Sequence, residues 1–339
     1  MRRMIIDCDT GTDDTVAVMA LLLAKDIDVI AITTVHGNIP AINSADNNLQ
    51  IVDFLKKDVP VYVGCDRPIV KNLYKGRTLN TLTQTLKKQF NGEEIKIHEM
   101  DIGLCRHHRK IEEEHAVSFI VRTLKQATAP IDICAIGPLT NIAMGLIMAP
   151  EIAEKIGTIF IMGGALFCGN RTPVGEANFV DDPEAAQIVL SSGANLMINP
   201  IEANKSGATY GLKDIEDIER LGNETAKFVG TLLRKFIWRC GMLWDENFCY
   251  DKFDFPPDST CCIHDWAAVA PAIDMSMAKE VKRQICNVDF SGGMSDGQLV
   301  IDRRAEKRAN CEAANADIVY EMDEEKCKHL LLALLSSAR

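Results

Sequence analysis

The chain has 339 residues, 47% hydrophobic and 25% charged, which is ample apolar material for one large domain or two ordinary ones. A formal charge of −11 argues against a nucleic-acid backbone as partner, because phosphate binding depends on clustered Lys and Arg. The longest apolar runs, such as residues 16–24, stop well short of the roughly 20 residues that span a bilayer, and residues 1–7 hold no apolar secretion signal, so no membrane span is expected and the cytoplasm is the expected compartment.

Runs rich in β-branched residues at 4–6, 29–35, 60–63, 131–136, 158–162 and 196–198 predict strands. Between them, apolar residues at helical spacing predict helices near 13–25, 41–56, 115–127, 139–148 and 183–192. This alternation predicts an α/β fold, a Rossmann-like, mainly parallel sheet flanked by helices on both faces. In such sheets ligands bind outside the carboxyl ends of the strands. No repeat or Gly/Ser linker interrupts the chain, so residues 1–339 are expected to form a single domain. Two stretches read as excursions from the sheet, 66–112 and 203–262; the second carries Trp238, Trp244 and a turn at Pro256-Pro257-Asp258, and both are long enough to be lids. The basic run at 106–110 is followed by Glu112-Glu113-Glu114 and reads as a solvated loop or helix start. Twelve cysteines are scattered with no C-x-x-C pair, which predicts reduced, mostly packed thiols, the adjacent Cys261-Cys262 among them.

The segment DCDTGTDD, residues 7–14, sets four carboxylates directly after the first apolar run. Asp13 and Asp14 open a helix, where the dipole favours them and capping is explanation enough. Asp7 and Asp9 have no such explanation. Crowded carboxylates at a strand end are stable chiefly when a cation neutralises them, and hard oxygen ligands select Mg²⁺ or Ca²⁺. An EF-hand is excluded, since Thr12 and Val18 stand where its Gly and bidentate Glu belong. A haloacid-dehalogenase-type Mg²⁺ phosphatase, with Asp7 as nucleophile and Asp9 as acid-base, remains a competitor.

Further segments separate these readings: TTVHGN at 33–38, IGPLTNIA at 136–143, IMGG at 161–164, GEANFVDDPEAA at 175–186 and HDWAAVA at 264–270. Together with D-x-D-x-G-x-D-D, in this order and spacing, they resemble the inosine-uridine-preferring nucleoside hydrolases. The resemblance implies the nucleoside hydrolase fold and hydrolysis of the N-glycosidic bond of a ribonucleoside to free base and ribose. It implies a Ca²⁺ ion held by Asp9, Asp14, the Ile136 carbonyl and Asp265, with a water and the ribose 2′- and 3′-hydroxyls in its shell. Asp9 is then the general base for the attacking water, Asp13 bonds the 2′-hydroxyl, and Asn38 orients water and sugar. Asn170, Glu176 and Asn178 match the remaining ribose ligands, with Met162 as an apolar wall. His264 is the candidate proton donor to the leaving base. Negative groups around the sugar suit a ribosyl oxocarbenium-like transition state. A homodimer or homotetramer is implied as well.

Not every polar residue in these motifs reads as functional. Asn141 reads as a helix-start hydrogen-bonder, Asp182-Pro183 as an N-cap with proline at the first helical position, and Asp7 as an organiser of its neighbours. The chain departs from the family at Thr10, where Pro is usual, and at His98-Glu99-Met100-Asp101-Ile102-Gly103, which replaces an H-G-x-x-G loop. Ala177 stands where an aromatic is usual; Phe167, Trp238, Trp244 and Trp266 are candidates for the missing contact, each read first as core. A catalytically silent nucleoside- or ribose-binding protein is the remaining alternative.

Overall fold

The computed structural model describes residues 1–73, 87–90, 93–105, 108–244, 256–304 and 314–338. The chain begins with β1 (Arg2–Cys8), α1 (Thr12–Leu23), β2 (Ile27–Thr34), α2 (Ala41–Phe54) and β3 (Val61–Val63). An antiparallel pair, β4 (Lys87–Phe90) and β5 (Glu93–Lys96), precedes α3 (Ala116–Gln126), β6 (Ile131–Ala135), α4 (Thr140–Met148) and β7 (Ile156–Met162). Next come α5 (Ala177–Asp181), α6 (Pro183–Leu190), β8 (Leu196–Asn199) and α7 (Ile201–Gly207). The second excursion supplies β9 (Thr209–Gly211), α8 (Leu212–Glu219), α9 (Glu224–Trp244) and β10 (Thr260–Cys262). After α10 (His264–Ile273) the chain closes with β11 (Ala278–Gln284), β12 (Cys286–Val288), β13 (Leu299–Ile301), β14 (Ala316–Met322) and α11 (Glu324–Ser336).

Eight strands form the central sheet in the order β11-β14-β8-β7-β6-β1-β2-β3. Every pairing in it is parallel except β11 with β14. The chain moves from β1 outward to β2 and β3, then returns to the other side of β1 as β6. That reversal opens a crevice beyond the carboxyl ends of β1 and β6, the place where such sheets bind ligands. Alternation along β1 sends Met4 and Ile6 into one core layer and Ile5 into the other. The first layer packs under α1, α2, α7, α9, α10 and α11, the second under α3, α4 and α6, so helices cover both faces. Helix α1 is buried from Thr12 to Leu22, and so it presses the acidic turn at its own start against the sheet.

Several sequence expectations shift. Asp7 lies inside β1, in register with Thr33 and Ala135, and does not follow the strand. The 66–112 excursion holds the β4–β5 pair, which packs on α9; Arg239 of α9 pairs with Glu99 and donates to the Lys96 carbonyl at 2.6 Å. Arg106 and His107 lie outside the described residues, while Arg109 is tied to Asp53 and Asp58 at 2.7 Å each. The turn at Pro256 forms, closed by Ser259 N–H donating to the Pro256 carbonyl. Every described cysteine is a free thiol. Among the described residues no helix is long and apolar enough to cross a membrane.

Candidate functional site

Four loops converge on the crevice. The turn after β1 brings Asp9, Asp13 and Asp14; the turn after β2 brings Asn38; the turn after β6 brings Ile136; and the start of α10 brings His264 and Asp265. Asp13, Asp14 and Asp265 each present an oxygen within 4.8 Å of the other two, and all three are buried. Asp9 lies one carboxyl further in: Asp14 is close enough to share a proton with Asp9 and with Asp265. Asp14 also accepts from Gly11 N–H at 3.0 Å, and Asp9 accepts from Asn38 N–H at 2.5 Å. The Asn38 side chain donates to Asp14 at 3.4 Å. One oxygen on each of Asp9, Asp13 and Asp14 nevertheless has no hydrogen-bond partner.

Burial is the first cause of the electrostatics here. It pushes Asp13 and Asp14 up to about 6, and Asp9 and Asp265 well above the usual carboxylate range, with mutual repulsion adding to the last two and to Asp14. Four buried acids held near one another, with orphaned oxygens and, among the described residues, no lysine or arginine partner, suit a hard divalent cation. Backbone packing enforces the crowding. A Cβ on Gly37 would sit 2.0 Å from Asp9 Oδ2, and one on Gly137 3.0 Å from Asp9 Oδ1, so both positions need glycine to let the chain close over this carboxylate.

Asp7 stands apart. Its Oδ1 accepts from Thr33 Oγ1 at 2.5 Å and from Asn141 Nδ2 at 2.8 Å, it is fully buried, and burial raises it to about 7. It does not border the cavity. Asp9 and Asp14 do not border it either; they lie buried behind Asp13 and Asp265, which do. Asn141 is the expected structural hydrogen-bonder, donating also to the Thr34 carbonyl and accepting from Cys65 N–H. Asp182 is the expected N-cap, accepting from Ala185 N–H with Pro183 at the first helical position, and it also takes Thr140 Oγ1 at 2.6 Å.

A cavity of about 540 Å³ opens beside the acids. Asp13, Asn38, Ile136, Met162, Asp265 and His264 border it, as do Asn170, Glu176 and Asn178, so most residues picked from sequence meet at one place. Several are already engaged with backbone. Glu176 caps α5, taking Asn178 N–H and Gly164 N–H at 2.9 Å and Phe179 N–H at 3.3 Å, and burial lifts it to about 7. Asn178 Nδ2 donates to the carbonyls of Ile136 and Met162, each at 3.0 Å, which leaves one lone pair on the Ile136 carbonyl. Asn170 Oδ1 accepts from Ala177 N–H at 2.9 Å.

The rest of the wall was not legible beforehand. His98, Phe236, Lys205, Cys240, Cys261 and Cys262 border the cavity from both excursions. His98 Nδ1 accepts from Thr12 N–H at 3.3 Å and lies 3.6 Å from Asp13. Burial pushes both His98 and His264 down to about 4, so both rings are neutral near pH 7. Of the aromatics, Trp266 is fully buried and Trp238 packs edge-on to Phe90, as core residues do. Phe167 instead is exposed under Arg303, and the Trp244 side chain lies outside the described residues.

Along most of its length the chain is similar to known proteins. A family model described as inosine-uridine preferring nucleoside hydrolase matches residues 4–329. The chain is 36% identical over 235 residues to an uncharacterized protein of Schizosaccharomyces pombe, spanning 68% of this chain and 71% of that one. Over 300 residues it is 29% identical to the pyrimidine-specific ribonucleoside hydrolase RihA of Salmonella arizonae, covering 88% of each. Among solved structures, the purine-preferring ribonucleoside hydrolase from Gardnerella vaginalis superposes with a TM-score of 0.81 at 26% identity, over 99% of this chain and 98% of that one.

Proposed function

Because the chain belongs to the inosine-uridine preferring nucleoside hydrolase family and is a hydrolase of N-glycosyl compounds, we propose that its cavity takes a ribonucleoside and cleaves the bond between C1′ and the base with water, releasing free base and ribose. The observation that supports this most directly is the set of buried, partly orphaned carboxylates beside a cavity of nucleoside size.

Asp9, Asp14, Asp265 and the Ile136 carbonyl would hold a Ca²⁺ ion; of these, Asp14 and Asp265 lie within 4.8 Å of each other and of Asp13. When bound, the ion supplies a positive charge that grips the ribose diol and renders a water more acidic. Asp9 accepts a proton from the attacking water, and its raised proton affinity suits that task. Asp13 accepts a hydrogen bond from the 2′-hydroxyl. Asn38 orients the water and sugar, and Asn170, Glu176 and Asn178 bond the other hydroxyls while Met162 walls the sugar face. As C1′ becomes electron-poor, these pre-placed carboxylates stabilise it. His264, neutral in the resting site, presents a hydrogen-bond donor to the base as it leaves. We place the enzyme in nucleoside salvage in the cytoplasm as a homodimer or homotetramer.

The test is reducing-sugar release from a panel of ribonucleosides and their 2′-deoxy counterparts, with and without chelator. Ribonucleosides should turn over, chelation should stop turnover and Ca²⁺ should restore it. Deoxyribonucleosides should lose on the order of 10⁴ in kcat/KM, as other hydroxyl-reading sites do when a buried polar group is left unpaired. Equal turnover of uridine and deoxyuridine, or full activity in protein shown by elemental analysis to lack metal, defeats the reading.

A further inference from the structure

The residues that border the cavity fall into two chemical groups. Asp13, Glu176 and Asp265 make one part of the wall acidic. The other part gathers on the β9–β10 pair. There Cys262 stands opposite Thr209 in register, Thr209 Oγ1 donates to the Lys205 carbonyl at 2.8 Å, and the Cys262 sulfur lies 3.5 Å from His264 Nδ1. Among the described residues Lys205 is the only lysine or arginine that borders the cavity. No described residue pairs with its ammonium, and its charge bears on both the Cys262 thiol and the His264 ring.

A lysine in the last turn of α7 is explained in part by favourable interaction with the helix's carboxyl end. That explanation leaves its position on the cavity wall unused. It also predicts no effect on kinetics, which makes the two roles separable.

We propose that Lys205 holds the departing base, donating an ammonium N–H to an exocyclic ring oxygen, so that nucleosides whose base carries such an oxygen are the preferred substrates. This rests on the hydrolase reading above. In the reaction the C1′–N bond breaks with both electrons leaving on the base, and the water oxygen bonds to C1′. One water proton passes to Asp9 and an equivalent proton ends on the base nitrogen, so nucleoside and water give free base and ribose. Lys205 keeps its own proton throughout. The negative charge that develops on a uracil or hypoxanthine ring spreads to its exocyclic oxygens, so a bond from the ammonium strengthens as the C1′–N bond stretches. It therefore acts on kcat more than on substrate binding. Adenine presents an amino group at the corresponding position, and two donors facing each other gain nothing.

The experiment compares wild type, Lys205→Met and Lys205→Arg on uridine, inosine, adenosine and p-nitrophenyl β-D-ribofuranoside, whose leaving group departs as a stable anion without help. Lys205 is exposed, so the variants should melt with the wild type, and thermal unfolding checks this. For uridine or inosine, whichever the wild type turns over faster, Lys205→Met should lower kcat/KM roughly 10- to 100-fold, mostly in kcat. The nitrophenyl riboside and adenosine should change by less than about threefold, and Lys205→Arg should recover part of the loss. Unchanged turnover of both uridine and inosine by Lys205→Met overturns the proposal, as does an equal loss on the nitrophenyl riboside. Those outcomes leave the hydrolase reading standing. A wild type that releases ribose from no riboside overturns that reading, and this one with it.

Discussion

Asp9, the proposed base and metal ligand, is held in a single orientation. Its Oδ2 is fixed by Asn38 N–H and by the close approach of Gly37, while its Oδ1 has no partner and is walled by Gly137. The carboxyl cannot rotate away, so it stays a proton acceptor of defined direction. Asp9→Asn keeps the shape and removes the acceptor, and kcat should fall by roughly 10²–10⁴ with a smaller loss of metal affinity. Asp14→Asn, which removes the carboxyl that Asp9 and Asp265 both lean on, should show the opposite balance: a steep rise in the Ca²⁺ needed, with rescue when the ion is abundant. Calcium titration run beside single-turnover rates distinguishes the two, and rescue of Asp9→Asn to near wild-type rate would reduce Asp9 to a ligand.

At the scale of elements, α4 is bolted to the sheet through one amide. Asn141 bonds Asp7 of β1, the Thr34 carbonyl at the end of β2 and the Cys65 N–H beyond β3, the first two fully buried and the last half-buried. Asn141→Ala leaves the buried Asp7 carboxyl with Thr33 alone and unpairs two backbone groups, and should cost about 2–4 kcal/mol in urea denaturation while leaving the cavity wall untouched. An unfolding midpoint within error of wild type would show that water fills the gap. Apart from β4, β5 and α5, the elements up to β8 were legible because their apolar runs alternate cleanly with helical patterns, and DCDTGTDD was legible because four acids fall within one local turn. Strand β11 was not: AKEVKRQ lies on the sheet edge, exposed along most of its length and paired to β14 through Lys279–Glu321 and Arg283–Asp317, so no apolar periodicity marks it. Lys205 was missed as a wall residue because nothing in its neighbouring sequence signals a site, and His98 was noticed only as the start of a segment that replaces a family loop; the end of α7 and the packing of His98 against Phe236 of α9 bring them to the cavity. Glu176 and Asn178 border the cavity, while their ties to backbone depend on where α5 meets β7.

For the whole molecule, the acid cluster ties stability to pH. Burial sets Asp13 and Asp14 at about 6 and Asp7 and Glu176 at about 7, above the values near 4 of an unfolded chain. Between about pH 4 and 7 the folded chain therefore holds protons that the unfolded chain has released, so stability without metal is fully present below that window and lost as pH rises through it. Metal-free protein should melt at least roughly 5 °C lower at pH 8 than at pH 5, and saturating Ca²⁺ should flatten the difference, by calorimetry. A metal-free melting point that rises with pH would mean the acids are ionised and compensated by other means. The sheet also divides the site by origin. Asp9, Asn38, Ile136 and Met162 sit at or just past the ends of parallel strands, whereas His98, Phe236 and Cys262 come from segments laid over them. Insertions and exchanges in those overlying segments can redraw the wall that meets the base while every strand keeps its register. Descent with modification can thus move such an enzyme from one nucleobase to another in small steps, each intermediate still gripping ribose in the same way.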